Sequence, residues 1–73
     1  MLLQLVSRNG CHLCAEAERM LGLLGLVFER LDVDADQELN RLYDFRVPVL
    51  LVDGRPVAEG RLDRRTLLRA LET

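Results

Sequence analysis

Two cysteines, Cys11 and Cys14, stand two residues apart around His12 and Leu13, and they are the residues of this chain best suited to chemistry. Sulfurs at i and i+3 are close enough to bond. They follow a strand-like run and a glycine-containing turn, and they open a helical pattern. A thiol at a helix start faces unpaired backbone amides and the positive end of the helix dipole. Both favour thiolate over thiol, so Cys11 is expected to titrate below an ordinary cysteine. Arg8, three residues earlier, and His12, when protonated, add charge in the same direction. Cys14 lies one turn further in, where burial keeps it a thiol until it is needed. The pair therefore has the two parts of a dithiol redox centre, an exposed attacking thiolate and a resolving thiol within reach.

Other uses of the pair are open to the same residues. Free cysteines often serve as small core side chains. Structural zinc takes four ligands, and Cys11, Cys14 and His12 have no second pair, so a zinc site would need two chains. Covalent haem attachment needs a histidine directly after the second cysteine, where this chain has Ala15. No metal or cofactor is expected. A disulfide across two residues closes almost no loop, so it cannot act as a staple of the fold. Pro48, in Val47-Pro48-Val49, also stands out. On its own it reads as a strand-start or edge residue, with only about 5–6% of such bonds cis by base rate.

The elements that position these residues are short. Leu2 to Val6 is an apolar run of strand length, closed by Ser7, Arg8, Asn9 and Gly10. From Leu13 the period becomes helical, with Ala17, Met20, Leu21 and Leu24 on the same stripe and Gly25 as the stop. Val27, Phe28 and Leu31 to Val33 supply a second strand. A short helix follows, capped by Asp34 or Asp36, with Leu39, Leu42 and Tyr43 as its buried face. Val47 to Val52 is the most apolar strand, and Asp53-Gly54 turns it into Pro56-Val57-Ala58. Asp63 caps a last helix with Leu67, Leu68 and Leu71 as its apolar positions. The predicted order is βαβαββα, an α/β fold. Its first two strands are parallel through a right-handed crossover, its closing hairpin is antiparallel, and three helices cover the four-stranded mixed sheet.

Length and charge narrow the class. Seventy-three residues make one domain, 1–73, and seventeen leucines supply its core without disulfide or metal. Ten basic residues, all arginine, against twelve acidic ones give a net charge of −2 and no run of three basic residues. Nucleic-acid binding normally needs a basic face, so none is expected. No apolar stretch approaches the roughly 20 residues of a membrane span. The N-terminus has no signal-peptide pattern, which makes a cytoplasmic location the expectation.

The layout of strand, CxxC at a helix start and Val-Pro before a hairpin resembles the thioredoxin superfamily. Gly10-Cys11-His12-Leu13-Cys14, with Asp32-Val33-Asp34 and Arg46-Val47-Pro48-Val49-Leu50, is similar to the small bacterial glutaredoxin-like proteins with a CHLC-type motif, over essentially the whole chain. The resemblance implies a glutaredoxin-like fold and a thiol–disulfide oxidoreductase with Cys11 as nucleophile and Cys14 as resolving thiol. It implies that Val47-Pro48 is cis, faces the cysteines and presents backbone groups to the substrate. Arg8 falls where glutaredoxins usually carry a lysine that favours the thiolate and the glutathione carboxylate. Arg8, His12, Val47 and Pro48 are thus the expected substrate-binding residues. The expected partners are a disulfide-bearing protein or a small thiol, together with an external reductant, and the chain is expected to act as a monomer. Departures from the family bear on glutathione. His12-Leu13 replaces the usual Pro-Tyr, and Val6 replaces an aromatic residue. Of the glycine-rich segment that holds the glutamyl end, only Gly60 and Asp63 remain in Glu59-Gly60-Arg61-Leu62-Asp63. The alternative is a thioredoxin-fold module without turnover, in which the cysteines hold a metal or iron–sulfur group shared between chains.

Overall fold

The structure is a computed structural model that describes residues 1–72; Thr73, the last residue of the expected domain, lies outside it. Its elements are β1 (Leu3–Ser7), α1 (His12–Leu23), β2 (Glu29–Asp32), α2 (Gln37–Tyr43), β3 (Val49–Val52), β4 (Arg55–Glu59) and α3 (Arg64–Ala70). They form one four-stranded sheet in the order β2-β1-β3-β4. β1 and β2 are parallel, and β3 is antiparallel to both β1 and β4. This is the mixed α/β arrangement that the βαβ start and the closing hairpin predict.

Strand alternation divides the core between the two faces of the sheet. Leu3, Leu5 and Leu50 pack with Ala17 and Leu21 of α1 and with Leu62 and Leu67 near or on α3. On the other face Val6, Val49 and Leu51 pack with Val33 and with Tyr43 of α2. The register explains the sorting, because Leu5 lies opposite Leu50 and Val6 opposite Val49. Asp53 and Gly54 both take left-handed backbone angles, φ 50° and 85°, between Val52 and Arg55. A two-residue hairpin that follows the twist of its strands requires this, and Asp-Gly tolerates it best. Asp53 also ties the hairpin to the chain start, since the Leu2 amide donates to its Oδ1 at 2.8 Å. Pro56 sits on the edge strand, where its missing amide hydrogen leaves no ladder bond unmade.

Several sequence expectations need correction. β2 begins at Glu29, and Val27 is 92% exposed. The ladder to β1 starts with Gln4 opposite Glu29, so the preceding residues run beyond it. β3 begins at Val49 because Val47 and Pro48 belong to the incoming loop. Leu42 and Leu68 are exposed, because short helices at the sheet surface bury a narrower stripe than their apolar residues offer. Asp36 is the cap of α2, accepting from the Leu39 amide at 3.0 Å. Asp34 does something else, described below. No helix among the described residues is long and apolar enough to cross a membrane.

Candidate functional site

The end of β1 and the start of α1 together set the cysteines. After Ser7 the chain turns, with the Cys11 amide donating to the Arg8 carbonyl at 3.3 Å and Gly10 at φ 78°. Cys11 is the helix cap: its backbone is extended, and its Sγ accepts from the Cys14 amide at 3.2 Å. The amide aimed at that sulfur is one of those that the first turn leaves without a partner inside the helix. The structure holds the pair as a disulfide, with Cα atoms 5.2 Å apart. Cys11 is only partly buried, whereas Cys14 is wholly inaccessible. Of the two cysteines, only Cys11 is within reach of an incoming molecule.

An open groove of about 480 Å³ runs beside Cys11, bounded by Arg8, Gly10, His12, Glu18 and Arg30. Glu18, Arg30 and Asn9 of its lining belong to a polar network. The hydroxyl of Ser7, the one buried polar side chain among the described residues, donates to Glu18 at 2.8 Å. Glu18 also pairs with Arg30 at 3.3 Å, and Arg30 donates to Asn9 Oδ1 at 2.9 Å. The His12 side chain is 89% exposed and lies 3.4 Å from Glu16 one turn on.

Arg8 does not point a free charge at the site. Its Nε and Nη2 donate to Asp34 at 2.8 and 2.9 Å, its Nη1 donates to the Asp44 carbonyl at 3.1 Å, and its Nη2 also meets the Asp44 carboxylate. Four of its five N–H groups are thereby used. The two carboxylates raise the Arg8 pKa, and the Arg8 guanidinium in turn holds Asp34 below its ordinary 3.8. Arg8 thus clips the β1–α1 turn to the β2–α2 and α2–β3 loops.

The α2–β3 loop carries the other residues singled out from the sequence. Val47-Pro48 is cis, and the Pro48 side chain is fully buried. Because Val6 lies opposite Val49, Pro48 stands across from Ser7, at the same sheet end as the cysteines. The Pro48 carbonyl accepts from the Gly60 amide at 2.9 Å, and Val47 makes no backbone hydrogen bond among the described residues. Arg46 reaches from this loop to Glu59 of β4, with Nη2 donating at 2.7 Å, and lies over the Tyr43 ring at 5.2 Å. Arg46 holds the Glu59 carboxyl below its ordinary value. In the segment where glutaredoxins bind glutathione's glutamyl end, Leu62 is core and Asp63 caps α3 through the Thr66 amide at 2.8 Å.

Sequence reading missed Glu18, Arg30 and Asp44, and it gave Ser7, Asp34 and Glu59 roles other than the contacts they make here. The signal for Glu18 was its place one turn after Cys14. Arg30 and Glu59 are brought in by strand pairing, and Asp34 and Asp44 by the loops after β2 and α2. Among the described residues, no group of three or more His, Cys, Asp or Glu is placed to hold a metal ion.

Comparisons with known proteins agree with this architecture. The profile of the glutaredoxin-like domain (DUF836) matches residues 2–72. The crystal structure of target protein XcR50 from X. campestris is 34% identical, with a TM-score of 0.83 over 94% of this chain and 93% of that one. The solution structure of protein Ne2328 from Nitrosomonas europaea is 31% identical, with a TM-score of 0.80 over 97% and 91%. The thioredoxin-like protein BC3987, at 24% identity and a TM-score of 0.72 over 94% and 99%, shares the fold. Among curated proteins, none matches the chain. With its profile matched from end to end of the described sheet and its CxxC pair at the first helix start, the chain belongs to the glutaredoxin-like domain (DUF836) family of thioredoxin-fold proteins.

Proposed function

We propose that the protein is a thiol–disulfide oxidoreductase working through Cys11 and Cys14. One observation carries the proposal: Cys11 caps α1, partly accessible and with its Sγ accepting from the Cys14 amide, while Cys14 is buried within bonding reach. In the reduced protein the Cys11 thiolate attacks one sulfur of a substrate disulfide. A Cys11–substrate bond forms, and the other substrate sulfur leaves as a thiolate that takes up a proton. Cys14 then loses its proton and attacks the Cys11 sulfur, releasing the second substrate thiolate, which is protonated in turn. Two electrons have passed to the substrate, and Cys11–Cys14 is left oxidised. An external thiol reductant restores the pair by the same exchange in reverse.

The groove beside Cys11 gives the leaving half of the substrate room. The unengaged backbone of Val47 supports strand-like pairing with an extended substrate beside the cis proline. Arg8 serves in this proposal as a positioning residue, since its charge is spent on Asp34 and Asp44. Leu62 in the core and Glu59 paired with Arg46 argue for a disulfide-bearing partner other than one held by a glutathione pocket of the usual kind. A cytoplasmic setting, where thiols are kept reduced, belongs to the same proposal.

The test is turnover of a small neutral disulfide, such as bis(2-hydroxyethyl) disulfide, with a dithiol reductant. Wild type is expected to turn over, and Cys11→Ser to be inactive. Cys14→Ser is expected to accumulate a mixed disulfide on Cys11, visible by mass. Activity that survives Cys11→Ser would refute the assignment.

A further inference from the structure

The most exposed large apolar side chain in the described structure, Phe45 at 96%, sits on the loop that carries the cis proline. A lone exposed apolar residue means little by itself. What sets Phe45 apart is how firmly its neighbours are held. Asp44 is fixed by Arg8 through both its carbonyl and its carboxylate, and its amide donates to Asn40 at 3.0 Å. Arg46 is fixed by Glu59, by its own amide to the Tyr43 carbonyl at 2.9 Å, and by the Tyr43 ring beneath it. Between two clamped residues, the Phe45 ring is directed to solvent. Leu42, three residues earlier on α2, is also exposed.

The loop's position says what covers this ring. Pro48 lies across from Ser7 at the cysteine end of the sheet, and Phe45 is only two residues before Val47, at most about 7 Å along the chain. A chain joined to Cys11 and paired along Val47 therefore comes to the loop that carries Phe45, whose neighbour Asp44 is held by Arg8 of the cysteine turn. A small disulfide is too short to do both. An aromatic side chain on a backbone already fixed before binding makes a strong anchor, because only its own two side-chain torsions remain to be ordered.

We propose that Phe45 is a substrate-docking anchor, and that the partner it fits is a polypeptide disulfide with an apolar side chain beside the attacked cysteine. The inference rests on the redox assignment and narrows its substrate class. The probes are two peptides with one intramolecular disulfide each, one with leucine and phenylalanine flanking the cysteines and the other with serine and glycine. Single-turnover reduction by wild type is expected to be about tenfold faster for the apolar peptide, the scale of one interface anchor. Phe45→Ser should bring the two rates together, and Phe45→Leu should keep most of the preference. Equal rates in wild type, or a preference unchanged in Phe45→Ser, would overturn the proposal. Reduction of bis(2-hydroxyethyl) disulfide by wild type reports on the redox assignment separately. Should that fail, titration with serine-for-cysteine forms of both peptides decides the docking question. The Phe45 ring resonances are expected to shift with the apolar peptide only, and no shift would refute the anchor.

Discussion

The two faces of the sheet are built by different means. The face under α1 and α3 is closed by leucines: Leu3, Leu5, Leu21, Leu50, Leu62 and Leu67 meet there with Ala17. The face under α2 has a smaller apolar cluster of Val6, Val33, Val49, Leu51 and Tyr43. Its loops are fastened by ions, Arg8 to Asp34 and Asp44 and Arg46 to Glu59. Apolar burial is strong and indifferent to direction, whereas a forked guanidinium on a carboxylate fixes geometry and adds little stability when exposed. The leucine face therefore supplies most of the folding free energy. The ionic clips set where the cis-proline loop stands relative to Cys11.

The largest effect should come from the leucine face. Leu50→Ala or Leu21→Ala is expected to lower unfolding stability by about 2–5 kcal/mol, most of what a small domain has. Val49→Ala, one residue from Leu50 but on the opposite face, should cost about 1.5 kcal/mol from the methyl groups removed. Urea unfolding midpoints of the three variants check the order, and an equal or reversed ranking would break the comparison.

Next comes the Arg8 clip. Arg8→Leu is expected to lower kcat/KM for a small disulfide about tenfold, as a slight misplacement of reacting groups does, while moving the urea midpoint far less than Leu50→Ala. Asp44→Asn should act in the same direction, and the double variant should be little worse than Arg8→Leu alone, as expected for groups sharing one interaction. A loss confined to stability, with kcat/KM intact, would make Arg8 structural only.

The clip also has a pH signature. Because Arg8 holds Asp34 below its ordinary 3.8, the stability it adds is fully present above that value and is lost as pH falls through the lower folded one. The midpoint difference between wild type and Asp34→Asn should be level from pH 5 to 7, by about 3 in pH it should have shrunk. A difference that persists or grows in acid would contradict the sign. The smallest effect belongs to Leu68, exposed beside buried Leu67 on α3. Leu68→Ala should stay within about 0.5 kcal/mol of wild type, and Leu67→Ala should approach the Leu50→Ala loss.

How much of this could be read from the residues follows from the range of each interaction. The apolar run from Leu2 to Val6, Asp53-Gly54 as a hairpin turn, and Asp63 as a helix cap are local patterns, and they gave the element order and the sheet. Cys11 at the cap of α1 was local too. Periodicity overstated burial at Val27, Leu42 and Leu68, because it does not say where a partner strand begins or how wide a stripe a short helix covers. The clips were out of reach. Arg8 meets residues 26 and 36 positions away, and a lone charge carries no mark of such a partner. Arg8 accordingly read as a charge beside the cysteines, and the fold gives it to the loops.

The central claim is that the start of α1 prepares Cys11, and not Cys14, as the attacking sulfur. Iodoacetamide labelling of the reduced protein across pH, with each cysteine followed separately by mass, tests it most directly. The account predicts that Cys11 reacts with a midpoint below the roughly 8.5 of an ordinary thiol while Cys14 stays nearly unreactive. A Cys11 midpoint at or above that value, or labelling of Cys14 first, would contradict it.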